Sequence, residues 1–146
     1  MTLYALGVSK AAPATGTGIV MIRPASTLDC QVREIGVFNS TAIASSVGLV
    51  RNATTGTPNV SALGQAGDPT RPPSQTNIDS GWSVAATVSA NYSRKIVLPA
   101  SIGAGIIWTF GPGELWAKNG ATTMLMLWNF GAGTAAALEV YVVIDE

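Results

Sequence analysis

The sequence predicts an all-β protein, an antiparallel β-sandwich or jelly roll of about nine or ten short strands. Two observations lead to this prediction. Short apolar or alternating runs, separated by turns about every 8–12 residues, recur along the 146-residue chain. No segment carries an apolar stripe at helical spacing over the length of a helix. Because a chain of this length suits one domain, residues 1–146 are expected to form a single β-sandwich domain.

The first half of the chain contains predicted strands bounded by Gly, Pro or polar turn residues. They cover Thr2–Val8, Ile19–Arg23, Cys30–Asn39 and Ser46–Asn52. Cys30–Asn39 alternates along its length, and neither of its faces is purely polar. It is therefore expected to be covered on both sides for part of its length. The run that follows, Ser46–Asn52, is predicted to be its hairpin partner.

The second half contains further predicted strands, separated by proline- and glycine-containing turns. They cover Trp82–Val88, Ser93–Leu98, Gly105–Phe110, Glu114–Ala117, Thr123–Asn129 and Leu138–Ile144. Three of the four tryptophans lie in the last third of the chain, one per strand-like run. The apolar surroundings of Trp108 and Trp128 predict a core or subunit-interface position. Trp116, in a more polar segment, is expected to be the most exposed.

Residues 54–81 are predicted to form a Pro/Gly-rich loop between the two halves. The segment contains four prolines and four glycines. Within it, Arg71-Pro72-Pro73 must be extended, since the residue before a proline is disfavoured in the α region. Long structureless segments in compact domains are usually functional or mobile. The loop is either a surface crossover between two sheets or a contact loop for another protein, and we favour contact.

Composition narrows the classes of partner. Charged residues make up only 11% of the chain, against about 25% in ordinary soluble proteins. The net charge is zero and the eight basic residues are scattered, whereas nucleic-acid-binding proteins usually show a basic patch. Neither nucleic acid nor an anionic membrane is therefore predicted as a partner. The low charge fits either a well-packed domain with a Thr/Ser/Asn surface or a surface that faces other protein.

The sequence offers little chemistry. It contains no histidine, which removes Ser-His and Cys-His nucleophiles and the commonest metal ligand. Cys30 is the only cysteine and is expected to be a buried strand residue. Glu34 and Glu139 could meet across a sheet as a carboxylate pair, but pairing with Arg33 or Arg94 is the favoured interpretation. We expect no enzyme activity, catalytic residue, cofactor or metal site.

No N-terminal signal is visible, and no apolar run is long enough to span a membrane as a helix. The chain is therefore expected to be made and folded in a cytosol, whatever its final location.

Several segments together resemble small structural proteins of tailed bacteriophages. They are M-T-L-Y-A-L, R-E-I-G-V-F-N-S-T-A, S-V-G-L-V-R, R-K-I-V-L-P-A, G-A-G-I-I-W-T-F-G-P-G-E-L and L-E-V-Y-V-V-I-D-E. In particular, the chain is similar to head decoration proteins, also called cement proteins, over nearly its whole length. The resemblance implies a jelly-roll-like sandwich, often a homotrimer. Such a protein sits on the outer capsid surface of the virion, where major capsid protein subunits meet, after synthesis in the host cytoplasm.

A capsid contact of this kind is expected to use the N-terminal strand and the Pro-rich loop, with Arg71 as an anchor. The predicted protein-interface residues are Leu3, Tyr4, Arg71, Pro72, Pro73 and Trp116. The alternative is a carbohydrate-binding module or the head of a viral fibre, with Trp116 and Trp82 as the stacking residues.

Overall fold

The computed structural model describes residues 2–146, which form two antiparallel sheets and contain no helix. The predicted all-β sandwich is confirmed. The described residues contain twelve strands rather than about nine or ten. They are β1 (Leu3–Lys10), β2 (Gly18–Arg23), β3 (Asp29–Asn39), β4 (Ser45–Thr54), β5 (Thr57–Leu63), β6 (Gln65–Ala66), β7 (Asn77–Val84), β8 (Thr87–Leu98), β9 (Gly105–Thr109), β10 (Trp116–Lys118), β11 (Leu125–Asn129) and β12 (Leu138–Asp145).

The strands divide between two sheets. Sheet A has the order β10-β3-β12-β1-β6, and β9 also pairs with β3, so that β9 and β10 pair with successive parts of the same strand. Sheet B has the order β5-β7-β2-β11-β4-β8. Strands that follow one another in sequence often lie in different sheets, so the chain repeatedly crosses from one layer of the sandwich to the other.

Strand β12 lies near the centre of sheet A and fixes its register. It pairs with β1 from Leu3↔Asp145 to Lys10↔Leu138 without a break. On its other side it pairs with β3, where the register shifts between Val143 and Ile144. Because side chains alternate between the faces of a strand, Leu138, Val140, Val142 and Ile144 all enter the core and are at most 2% exposed. The alternation of the sequence alone places these four residues on one face of the last strand, and the structure shows that this face is the inward one.

The core lies between the two sheets. Its fully buried side chains include Ile35 and Leu138 from sheet A, and Leu49, Ile78 and Leu125 from sheet B. Cys30 and Trp108 also belong to this cluster, in agreement with the burial expected of the lone cysteine and with the apolar neighbours of Trp108 in the sequence. Burial raises the pKa of the Cys30 thiol to about 12. The cysteine therefore behaves as a small apolar core residue.

The loop predicted over residues 54–81 is largely wrong. β5, β6 and the first part of β7 lie there, and only residues 67–76 form an extended irregular segment between strands. The high proline content was misleading at Pro58. That residue lies in β5, the edge strand of sheet B, where a missing N–H need not break a ladder. Pro69, Pro72 and Pro73 do remain in the irregular segment.

The predicted hairpin between the third and fourth strands is also wrong. β3 belongs to sheet A and β4 to sheet B. The two long edges of β3 are already occupied, one by β12 and the other by β9 and β10. β4 instead pairs with β11 and β8. The residues between β3 and β4 therefore form a crossover rather than a hairpin turn.

A buried asparagine holds this crossover in place. Asn39 is 2% exposed, and its Nδ2 donates to the Ile43 carbonyl at 3.0 Å and to the Pro99 carbonyl at 2.9 Å. Its Oδ1 accepts a hydrogen bond from Ser45 Oγ at 2.9 Å. Ser45 Oγ in turn accepts from the Ala136 N–H at 3.0 Å. One side chain thus connects three loops at this end of the sandwich.

We predict that Asn39→Ala lowers the free energy of unfolding by about 1–3 kcal/mol, because it leaves buried carbonyl and hydroxyl groups without partners. Urea denaturation measures the change. The matched control is Asn91→Ala, at an exposed asparagine, which should leave the midpoint nearly unchanged. Equal midpoints for the two variants would contradict this role of Asn39.

Candidate interaction surface

The surface of sheet A that points away from the core is the candidate interaction surface. The strand registers and the alternation of side chains define its members. We call it the outer face of sheet A; it comprises Leu3, Ala5, Gly7 and Ser9 in β1, Glu139, Tyr141, Val143 and Asp145 in β12, Gln31, Glu34, Gly36 and Phe38 in β3, Gly105, Ile107 and Thr109 in β9, and Trp116 in β10.

The centre of this face is flat because two aromatic rings lie over glycines. A Cβ at Gly36 would collide with the ring of Tyr141, and a Cβ at Gly105 would collide with the ring of Phe38. The two rings stack on each other, with centroids 6.4 Å apart and an interplanar angle of 17°. Gly36 and Gly105 thus permit the rings to lie against the sheet rather than project from it.

The rim of the face exposes large apolar side chains. Leu3 is 56% exposed and Ile107 is 49% exposed. Beside Leu3 in β1, Ala5 and Gly7 are exposed and have at most a methyl side chain. A flat face with exposed apolar side chains and little relief suits close contact with another protein surface.

Carboxylates supply most of the charge on this face. Asp145 is paired with Arg33, with 3.0 Å between Oδ2 and Nη2. Glu34 Oε1 accepts a hydrogen bond from the Tyr141 hydroxyl at 2.6 Å, and Glu139 Oε2 accepts one from Ser9 Oγ at 2.7 Å. Neither glutamate takes part in the ion pairs found within residues 2–146. The face is thus weakly acidic.

Glu34 also affects the titration of its phenolic partner. The hydrogen bond that Tyr141 donates to Glu34 raises the pKa of the phenol, and burial raises it further. The proton is retained because its loss would place a phenolate beside a carboxylate.

Two of the predicted interface residues lie at opposite ends of one row across this face. The row runs Leu3↔Asp145↔Gln31↔Trp116 in the registers of three strand pairs, a span of about 14 Å for three interstrand spacings. Trp116, which is expected to be the most exposed tryptophan, is partly buried, as Trp82 and Trp128 are. It also lines a small cleft with Arg51.

The interface prediction for Tyr4 is wrong. Tyr4 is 8% exposed and belongs to the core cluster. It follows Leu3 directly in β1, and successive strand residues point to opposite faces. Only Leu3 of this pair can therefore contribute to the outer surface.

The irregular segment 67–76 lies beside the N-terminal strand. The Glu146 carboxylate accepts hydrogen bonds from the backbone N–H groups of Gln75 and Thr76, at 2.9 and 2.8 Å. The Glu146 carbonyl also accepts from the Thr2 N–H at 2.8 Å. Glu146 therefore connects the C-terminal end of the segment to the start of β1.

Arg71, Pro72 and Pro73 are exposed. The side chain of Arg71 is 60% exposed, and its Nε lies 3.9 Å from Asp68 Oδ2. Asp68 is itself held by Thr70, whose hydroxyl and N–H donate to Oδ1 and lower the pKa of the carboxyl. Arg71 is therefore free to bind a second carboxylate.

The carboxylate pair considered from the sequence does not form. Glu34 lies opposite Val143 and Glu139 lies opposite Phe38, so the two glutamates sit in different rows of the face. The expected ion pairs with Arg33 and Arg94 are also wrong.

Arg33 binds Asp145 and Arg94 binds Glu114.

Residues 2–146 contain no group of three His, Cys, Asp or Glu side chains placed to hold a metal ion. The same residues include no helix long and apolar enough to cross a membrane.

Several members of the outer face were missed by sequence reasoning, above all Gly36, Ile107 and Tyr141. The alternation of L-E-V-Y-V-V-I-D identifies Tyr141 as an outward residue of β12. Its contact with Gly36 depends on the pairing of β12 with β3, which no local pattern specifies.

No protein-family model matches the chain, and comparisons with curated proteins and with solved structures found no similar protein.

We predict that the stability contributed by Tyr141 falls at high pH. A pKa raised in the folded state means that the contribution is complete below the unfolded value, about 10. It is lost as the pH rises through the folded value. Urea unfolding of the wild type and of Tyr141→Phe between about pH 8 and pH 11 tests this. The stability advantage of the wild type should shrink as pH rises, and a constant difference would contradict it.

Proposed function

We propose that this protein is a structural virion component that binds the outer surface of a phage capsid. In this role it bridges neighbouring major capsid protein subunits and stabilises the shell, as a homotrimer without enzymatic activity. The observation that supports the proposal most strongly is the outer face of sheet A. It is flat, poor in cations and flanked by exposed Leu3 and Ile107.

The flat face suits a bridging role for a physical reason. Specific protein contacts usually bury about 1,000 Å² or more in total. The Ala, Gly and apolar side chains of this face add no charge to be desolvated beyond that of its carboxylates, Glu34, Glu139 and Asp145. The irregular segment 67–76, beside the same edge of the sheet, adds the exposed Arg71 as an anchor for a capsid carboxylate.

The order of the strands supports the jelly-roll form of the sandwich. When β5, β6, β7 and β10 are set aside, eight strands remain. The first of them pairs with the last, as β1·β12, and the second with the last but one, as β2·β11. The inner pairs are β3·β9 and β4·β8. Such a folded double ribbon is the jelly-roll arrangement, which is common among viral capsid domains and lectins.

We predict that Ile107→Asp weakens binding to capsid shells by about tenfold or more, because it places an unpaired carboxylate in the contact. Cosedimentation of the protein with undecorated shells measures the affinity. The control is Val84→Asp, at a residue that is 60% exposed and lies in sheet B.

The control should bind as the wild type does. Loss of binding in Val84→Asp with normal binding in Ile107→Asp would contradict the assigned face. Light scattering of the free protein over a range of concentrations tests the homotrimer separately, and a strict monomer would exclude it.

The alternative is a carbohydrate-binding or fibre-head module that would use Trp116 and Trp82 together as one stacking surface for a sugar chain. The positions of the two residues do not favour such a surface. Trp116 lies in sheet A and Trp82 in sheet B, so the two rings cannot stack on one sugar chain as neighbours. Both side chains are also partly buried. A sugar site would need one of the two rings alone.

A further inference from the structure

A small cleft adjoins the outer face of sheet A at its β10 edge. Arg51, Trp116, Lys118, Thr122 and Thr123 line it, and its volume is about 280 Å³. Trp116 belongs both to the cleft and to the outer face. Because small-molecule sites usually measure about 300–1,000 Å³, a cleft of this size suits a single inserted side chain better than a whole ligand.

Arg51 is the cation of the cleft that has no acidic partner. None of the ion pairs found within residues 2–146 involves it. Its Nη1 donates a hydrogen bond to the Thr123 carbonyl at 2.6 Å, which holds the guanidinium against the wall of the cleft. Partial burial lowers the pKa of Arg51, because no opposite charge compensates for the lost hydration.

Two further nitrogens of this guanidinium remain available to a ligand. Within the described part of the chain, Arg51 Nε and Nη2 have no hydrogen-bond partner, and neither belongs to the buried atoms that lack one. Both atoms therefore keep accessible surface. Arg23 uses the same two nitrogens to bind the carboxylate of Asp79, at 2.6 and 3.0 Å. Arg51 thus presents the pair of donors with which an arginine binds a carboxylate in a bidentate manner.

The charge of the cleft suits a ligand with a single negative charge. Lys118 lines the cleft as well, but its Nζ lies 3.0 Å from Asp29 Oδ2, so that this pair has no net charge. Arg51 therefore contributes one uncompensated positive charge. A carboxylate neutralises it, whereas a phosphate dianion would leave an excess negative charge near Asp29. Trp116 in the wall adds apolar surface for the methylene groups of an acidic side chain.

The outer face of sheet A has no cation among its members that could receive such a side chain. Its charged members are Glu34, Glu139 and Asp145, which disfavour the approach of another carboxylate. An acidic side chain of a protein docked on this face is therefore best accommodated at the β10 edge, where Trp116 leads into the cleft.

We propose that the cleft binds the carboxylate of an aspartate or glutamate on the protein that docks on the outer face of sheet A, with Arg51 Nε and Nη2 as the donors. The inference rests on the proposed function, in which that protein is the major capsid protein. Arg51 is then a second anchor, in addition to Arg71.

Titration of the intact protein with small probes tests the cleft without a capsid. The probe is N-acetyl-glutamate α-amide, its uncharged control is N-acetyl-glutamine α-amide, and inorganic phosphate represents the other class of oxyanion. Heteronuclear NMR follows the Trp116 indole N–H and the Arg51 Nε–H. We expect a saturable shift of both signals with the glutamate probe, no shift with the glutamine probe, and weaker binding of phosphate.

Cosedimentation with undecorated shells tests the role of the cleft in docking. Arg51→Gln should weaken binding by about tenfold or more, through loss of a charge-assisted bidentate contact. Arg51→Lys should retain only part of the affinity, because an ammonium group lacks the planar fork. The matched control is Arg94→Gln, at an exposed arginine that is paired with Glu114, and it should bind as the wild type does. Circular dichroism establishes that each variant is folded.

Failure of this inference and failure of the proposed function give different results. If the wild type binds shells and folded Arg51→Gln binds them equally well, the inference is overturned and the proposed function stands. If the wild type does not bind shells, the proposed function fails, and the capsid fails with it as the source of the carboxylate. In the titration, no shift with the glutamate probe, an equal shift with the glutamine probe, or tighter binding of phosphate would overturn the carboxylate site in either case.

Discussion

The register of β12 between β1 and β3 is the constraint on which the rest of the structure depends. A shift of one residue would move Val140, Val142 and Ile144 out of the core and place Glu139 and Tyr141 inside it. The unbroken ladder with β1 and the long ladder with β3 prevent this shift. Both the apolar core and the outer face of sheet A therefore follow from one set of strand pairings.

The same register explains why the outer face is flat. It places Tyr141 directly opposite Gly36, so that the ring covers a position without a side chain, and the hydroxyl reaches Glu34. The apolar alternation of β12 thus has two consequences. Its inward residues stabilise the sandwich, and its outward residues produce a rigid surface that suits contact with a capsid, as we propose.

Local patterns predicted the fold class and the apolar face of β12, because alternation is a property of the strand itself. In β3 alternation failed, since a register shift against β12 lets Cys30, Val32, Ile35 and Val37 all enter the core. Local patterns also failed where the answer depends on distant parts of the chain. Proximity in sequence suggested a hairpin between β3 and β4, whereas distant strands occupy both edges of β3. Proline content suggested a loop, whereas Pro58 lies in an edge strand. The alternation of β1 alone would have placed Tyr4 on the inward face. Tyr4 is the residue that the structure corrects among the six predicted interface residues.

We propose that the outer face of sheet A lies against a capsid. Cryo-electron microscopy of the native particles tests it most directly. We predict density for this sandwich on the outside of the shell where capsid subunits meet, with Ile107 and Tyr141 facing the shell and residues 67–76 in contact with it. Density with that face turned to solvent, or particles without the protein on their surface, would contradict the account.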